Sequence, residues 1–297
     1  VVTSRVAVLG RGVVPAGEPV LRGDDRGALH GDGLFETMHL RDGRPWLLDA
    51  HLARLRAGAA ALELPLPPDG VLVDLLDTVR ADWPAEVEGA LRLVCTHGPE
   101  GGGPPTVWAT LAEVPAGAVR ARRDGVTVAT LPLGVPAEAR PGLGWLPVGV
   151  KSTSYAVSTA ARRWAARNGV DDVLWVSTEG WLLEGPTANL VWLTGDTLYT
   201  VPSARTGVLP GVTAHRLLAH AAELGLRPGE RLLTPAGLAT TDGAWLTSSI
   251  RGLTEIRTLD NTQRPSSPLT PTLLTLLGFP LPPPAPTLPA LPASPAG

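Results

Sequence analysis

Strand-like runs and helical stripes alternate along this chain. The alternation breaks at residues 115–124, where Pro, Gly and Arg replace any periodic pattern. That pattern confines the chain to mixed architectures, and the reading is α+β. An N-terminal small α+β domain is expected over 1–114, an interdomain linker over 115–124 and a larger C-terminal α/β domain over 125–279. Residues 280–297 are little but Leu, Pro and Ala and are read as a disordered tail. The length of 297 residues and an apolar fraction of 44% allow two packed cores. Those cores must hold without cross-links, because Cys95 is the sole cysteine. It also excludes a Cys-based zinc or iron–sulfur site.

Several function classes drop out on charge and hydropathy. A net charge of −3 makes no electrostatic case for nucleic acid or an anionic membrane. No apolar stretch is long enough for a membrane helix. The run Val1-Val2-Thr3-Ser4-Arg5 does not look like a secretory leader. A cytoplasmic protein is the expectation.

Local signals place the elements. Leu34 to Leu40 reads as a strand closed by Arg41-Asp42-Gly43. Asp49 is the expected N-cap of a helix from Ala50 to Leu62, with Leu52, Leu55, Ala59 and Leu62 as its apolar stripe and His51, Arg54 and Gly58 on another face. A second helix is expected over Gly70 to Ala81. Strands are expected over Arg92–Thr96, Val107–Glu113, Gly125–Leu131, Val173–Ser177, Trp181–Glu184, Asn189–Leu193, Leu198–Val201, Ala244–Thr247 and Leu253–Leu259. Lys151 is expected to open a helix that runs to Asn168, and another helix follows Leu209-Pro210-Gly211.

The basic residues carry the first chemical clue. Of 25 lysines and arginines, 24 are arginine, and the one lysine is Lys151. Arginine stays protonated and its delocalised guanidinium is a poor nucleophile, so it cannot replace a lysine that must lose its proton. Lys151 is either a chance survivor on the surface or an amine that forms a Schiff base. At a helix start behind the apolar stretch 146–150, both the helix dipole and desolvation would lower its pKa.

A Schiff-base lysine points to pyridoxal phosphate, which needs a carboxylate at its pyridine nitrogen and a cradle for its phosphate. Glu184 stands at the end of an apolar strand, where a lone carboxylate is costly. Leu209-Pro210-Gly211-Val212-Thr213 starts a helix with a hydroxyl in its first turn. Thr247-Ser248-Ser249 is a second hydroxyl cluster. Each has an ordinary reading: a paired acid, a cap, a turn.

Six blocks then resemble one family in its own order: Gly31-Asp32-Gly33-Leu34-Phe35-Glu36-Thr37, His51-Leu52-Ala53-Arg54-Leu55, Lys151-Ser152-Thr153-Ser154-Tyr155, Leu183-Glu184-Gly185-Pro186-Thr187-Ala188-Asn189, Gly207-Val208-Leu209-Pro210-Gly211-Val212-Thr213 and Thr247-Ser248-Ser249-Ile250-Arg251. The chain is similar, from about Gly31 to Asp260, to the class IV pyridoxal-phosphate enzymes. These comprise branched-chain and D-amino acid aminotransferases and 4-amino-4-deoxychorismate lyases. The resemblance implies the two-domain fold type IV architecture in a homodimer, and a small amino substrate. It implies Lys151 as Schiff-base lysine and proton shuttle, and Glu184 at the pyridine nitrogen. Arg54, Val212, Thr213 and Ser249 would hold the phosphate, with Tyr155 near the ring.

Thr37 stands where branched-chain aminotransferases carry Gly, and Ser248-Ser249-Ile250 is more similar to the lyases than to the Gly-Thr-Ala of branched-chain enzymes. The resemblance therefore favours the lyase, with Thr37 as a proton donor to the departing enolpyruvate; an amino acid transaminase is the alternative. His30 and His39 near Asp32 could suggest a metal, but no third ligand stands at metal spacing and solvated or packed histidines are the ordinary reading, so no metal is expected. Gly98 to Gly103 opens no helix and does not resemble a dinucleotide site. No Gly-x-Ser-x-Gly elbow occurs. Arg92 is read as structural.

Overall fold

The computed structural model describes residues 4–279. The tail expected over 280–297 lies outside the described residues.

Six strands form an antiparallel first sheet: β1 (Arg5–Val8), β2 (Gly12–Val14), β3 (Gly33–Arg41), β4 (Arg44–Pro45), β5 (Gly89–Thr96) and β6 (Thr106–Glu113), in the order β2-β1-β6-β5-β3-β4. A short helix, α1 (Arg26–His30), precedes β3. Helices α2 (Leu48–Ala61) and α3 (Asp69–Arg80) cover one face. Alternation along β3 decides what meets them. Leu34, Met38 and Leu40 enter the core with Leu52 and Leu55 of α2 and Leu72 and Leu76 of α3. Glu36 shares that helix-facing side, whereas Phe35 and Thr37 point to the opposite face. The expected helix cap at Asp49 is not formed: α2 starts two residues earlier, after Leu47 at φ 55°, which leaves Asp49 in the first turn beside the positive dipole end.

The second sheet holds β7 (Val126–Pro132), β8 (Asp172–Val176), β9 (Asn189–Thr194), β10 (Thr197–Thr200), β11 (Arg227–Glu230), β12 (Gly243–Ser248), β13 (Gly252–Leu259) and β14 (Thr262–Gln263). Its order is β11-β10-β9-β12-β13-β7-β8, with β14 on β13. The β10–β11, β13–β7 and β7–β8 pairs are parallel and the rest antiparallel. Fully buried Trp192 and Trp245 belong to two separate cores of this unit.

Six helices complete it: α4 (Ala116–Asp124), α5 (Ala156–Arg167), α6 (Ser203–Thr206), α7 (Val212–Ala219), α8 (Pro235–Ala239) and α9 (Thr270–Leu276). Helix α4 occupies the stretch read as an irregular linker. Its inward position is Arg122, so no apolar stripe betrays it. The Arg122 guanidinium donates to Glu88 at 2.7 Å and to the Ile250 carbonyl at 2.9 Å. After α9, Phe279 packs between the Arg41 and Arg122 guanidinium groups, 4.2 and 4.6 Å from its ring centre, and edge-on to Trp46. The C-terminal helix is thereby tied to the first sheet. Among the described residues no helix is long and apolar enough to cross a membrane.

Candidate active site

A cavity of about 830 Å³ lies between the two sheets, and Lys151 lines it. The lysine reaches it from an extended segment, not from a helix. Leu34 and Ser152 form an antiparallel bridge, the Phe35 N–H donates to the Lys151 carbonyl at 3.0 Å, and the Thr153 N–H donates to the Gly33 carbonyl at 2.9 Å. Gly31 permits this approach: it has φ 66°, and a Cβ there would lie 2.7 Å from Ser154 Oγ, whereas at Gly33 a Cβ would lie 2.6 Å from the Cys95 carbonyl oxygen of the neighbouring β5.

The expected helix start at Lys151 is thus corrected: α5 begins at Ala156. Burial, then the Arg54 charge, lower the Lys151 pKa to about 8, against the pull of Glu36 and Glu184. The Nζ sits 4.6 Å from the centre of the Phe35 ring.

Glu184 faces the same cavity. The strand expected over Trp181–Glu184 is reduced to the bridges Val176–Leu182 and Glu184–Asn189. Its carboxylate accepts from the Leu209 N–H, 3.2 Å from each oxygen, and from Asn189 Nδ2 at 3.4 Å. Burial pushes it up to about 7, opposed by the Leu209 N–H and by Arg140, Lys151 and Arg54.

Arg54, Val212, Thr213 and Ser249 all line this cavity. Helix α7 starts there without a side-chain cap, and among the described residues buried Thr213 Oγ1 has no hydrogen-bond partner. The free N–H groups and this unpaired hydroxyl make a ready anion cradle. Arg54 donates through Nε and one terminal nitrogen to both oxygens of Glu36 at 2.7 Å, and through the other to the Pro210 carbonyl at 3.0 Å. Tyr155 lies edge-on to Phe35, ring centres 5.3 Å apart, and burial pushes its phenol up.

Three residues escaped the sequence reading as site residues. Glu36 is 1% exposed and His51 0% exposed. His51 Nδ1 lies 2.7 Å from Glu36, and its Nε2 lies 3.3 Å from Ser249 Oγ. A charge on the helix-facing side of an apolar strand was the available signal. Arg92, read as structural, lines the cavity opposite Thr37 in the β3–β5 register. Its Nε donates to Thr37 Oγ1 at 3.2 Å, and its guanidinium lies 4.9 Å from the Phe35 centre. Only the strand pairing reveals this. His30 and His39 pair with Glu100 and Glu88, and among the described residues no three potential metal ligands converge.

A lysine whose pKa is lowered to about 8, a carboxylate lining the same cavity and an anion cradle with an unpaired hydroxyl fit pyridoxal phosphate. The comparisons agree. A family model described as amino-transferase class IV matches residues 33–259. A bifunctional aminodeoxychorismate lyase / D-amino acid transaminase from Mycobacterium tuberculosis is 38% identical over 272 residues, 89% of this chain and 94% of its own. An aminodeoxychorismate lyase from Bacillus subtilis is 26% identical over 78% of this chain and 79% of its own. Among solved structures, the PLP-bound form of a hypothetical aminotransferase from M. tuberculosis superposes with a TM-score of 0.88 at 38% identity, covering 93% of this chain and 98% of that one. A fold IV-transaminase from Curtobacterium pusillum gives 0.86 at 33% identity, covering 93% and 97%. The chain belongs to the class IV aminotransferases, a family of pyridoxal-phosphate-dependent enzymes.

Proposed function

We propose that this enzyme is a 4-amino-4-deoxychorismate lyase, forming 4-aminobenzoate and pyruvate for folate biosynthesis. The observation that carries the reading is the Thr37 hydroxyl. It lines the cavity with Lys151 and accepts the Arg92 Nε–H at 3.2 Å, which leaves its own proton free to be given to a leaving group. Bound pyridoxal phosphate supplies a carbonyl for the substrate amine and an electron sink for the carbon that loses a proton.

The remaining work falls to side chains. Lys151 would hold the cofactor and would take the proton from the amine-bearing carbon of the substrate. Glu184 holds the proton on the pyridine nitrogen. Arg54, Ser249, Thr213 and the Val212 end of α7 hold the phosphate, and Tyr155 flanks the ring. The bond from the substrate ring to the enolpyruvyl oxygen breaks with its electron pair leaving on oxygen, Thr37 gives that enolate oxygen a proton, and the ring aromatises. Arg92, lining the cavity without a carboxylate partner among the described residues, suits an acidic substrate.

The second reading is a transaminase acting on branched-chain or D-amino acids. The printed name of the M. tuberculosis relative, which joins both activities, supports it. A homodimer and a cytoplasmic setting belong to either reading. Val157 lines the cavity and is 61% exposed, an apolar surface that a second copy would cover.

The test is to incubate the purified protein with aminodeoxychorismate and assay 4-aminobenzoate and pyruvate, with amino and keto acid pairs in parallel. Both products from the first incubation support the lyase. Amino transfer without them would replace it by the second reading.

A further inference from the structure

The cradle contains a chain of contacts that does more than hold Arg54 in place. Ser249 Oγ lies 3.3 Å from His51 Nε2, and His51 Nδ1 lies 2.7 Å from Glu36, whose two oxygens also receive Arg54. Burial would raise the Glu36 pKa, but the bonds from Arg54 and His51 outweigh it and hold the carboxyl at about 2. Glu36 is therefore an acceptor only, and His51 Nδ1 must carry a hydrogen.

The hydroxyl direction follows. In a neutral ring Nε2 is then bare, so Ser249 donates to it and turns only lone pairs toward the cavity. A phosphate dianion arriving there would meet an acceptor. Its charge is also unmatched, because the Arg54 charge is already balanced by Glu36. Turning the Ser249 hydroxyl alone would strand His51 Nε2, fully buried and unpaired, which is costly. A proton added to the ring solves both problems. Nε2–H then donates to Ser249 Oγ, the hydroxyl hydrogen is free for the phosphate, and the Arg54–Glu36–His51 cluster gains one positive charge.

We propose that Ser249, His51 and Glu36 form a proton-coupled phosphate latch, in which His51 takes up one proton when a phosphate monoester dianion fills the cradle beside Arg54 and Thr213. The inference rests on the reading of this cavity as the pyridoxal-phosphate site. Glu36 faces His51 from β3, Arg54 stands one turn on in α2, Lys151 approaches from the segment before α5, and Ser249 comes from the β12–β13 turn. Burial first, then the Arg54 and Lys151 charges, favour the neutral ring against Glu36 in the structure described. A dianion reverses that balance.

The probe is pyridoxamine 5′-phosphate, which carries the phosphate and the pyridine but no aldehyde, so Lys151 does not react with it. Cofactor-stripped protein is titrated calorimetrically near neutral pH in phosphate-free buffers of different ionisation enthalpy. The parent should take up close to one proton more per bound molecule than His51→Gln. Its affinity should fall by up to about tenfold per pH unit above the His51 titration, a slope the variant lacks. Equal proton uptake in the two proteins overturns the latch. ¹⁵N-histidine spectra of the parent keep the test open if His51→Gln does not fold. One ring must pass from a neutral Nδ1–H form to the doubly protonated form on binding; no such change overturns the proposal. Failure of the parent to bind the probe at all would remove the cofactor reading and the latch with it, whereas binding without proton uptake removes the latch alone.

Discussion

The Lys151 ammonium nitrogen and the Phe35 ring centre are 4.6 Å apart, with the Arg92 guanidinium 4.9 Å from the same centre. The lysine thus shares its aromatic neighbour with a second cation, in a buried setting. Its pKa falls from 10.5 to about 8, through burial first and the Arg54 charge second. For a base held below its usual value, the neutral, nucleophilic form grows as pH rises through about 8. The rate at which stripped protein recaptures pyridoxal phosphate should rise with pH and level off above that point. A pH-independent rate would contradict the assignment. Between about 8 and 10.5 the unfolded chain binds the extra proton, so the stripped protein should gain stability from Lys151 as pH rises across that window. Lys151→Arg should leave the fold intact and abolish turnover, and borohydride should fix the cofactor to the Lys151 peptide of the parent only.

Glu184 shows the opposite sign. Its pKa is raised from 4.5 to about 7, first by burial. The folded protein therefore holds a proton that the unfolded chain has lost, and this contribution to stability disappears as pH rises from 4.5 through about 7. Glu184→Gln should flatten the stability profile of the stripped protein over that window, as read by denaturant midpoints. In the loaded enzyme the same change should slow proton abstraction by roughly a hundredfold or more.

Thr37 separates the two chemistries. Thr37→Val keeps the β-branched shape and removes the donor, and loss of a positioned proton donor costs about 10²–10⁴-fold in rate. Lyase turnover should fall on that scale while amino transfer falls much less. Equal losses would reduce Thr37 to a wall of the pocket.

Phe279 is 3% exposed, and Arg41 and Arg122 flank its ring. Phe279→Ala should destabilise the protein by about 3–5 kcal/mol, the cost of emptying a buried aromatic position, as measured by chemical denaturation. Arg122 also holds the Ile250 carbonyl next to Ser249, so cofactor affinity should weaken in the same variant.

Most strands were legible, because alternation and turn residues act locally. The β3 reading of Leu34–Leu40 falls within Gly33–Arg41, and Leu253–Leu259 within Gly252–Leu259. Helix α4 was not legible, since a buried arginine looks polar in any hydropathy pattern. Segment 151–155 misled for a related reason. Its backbone partners, Gly33 and Phe35, lie more than a hundred residues away, and that distant ladder overrides local helical preference. Glu36 shows the same limit. Its residue type was plain, but its partners, His51 and Arg54, become neighbours only when α2 packs on β3.

The pairing of Lys151–Thr153 with Gly33–Phe35 has a mechanical consequence. By chain order the lysine belongs with the second sheet, yet its backbone bonds attach it to the first. Glu184 and the α7 end of the cradle stay with the second sheet, while Arg54 stays with the first. A swing of one sheet against the other would shift Lys151 and Arg54 together relative to Glu184, and it would strain the Arg54–Pro210 and Gly149–Gly207 bonds that tie the halves. The span between nucleophile and carboxylate therefore depends on how those halves are held together.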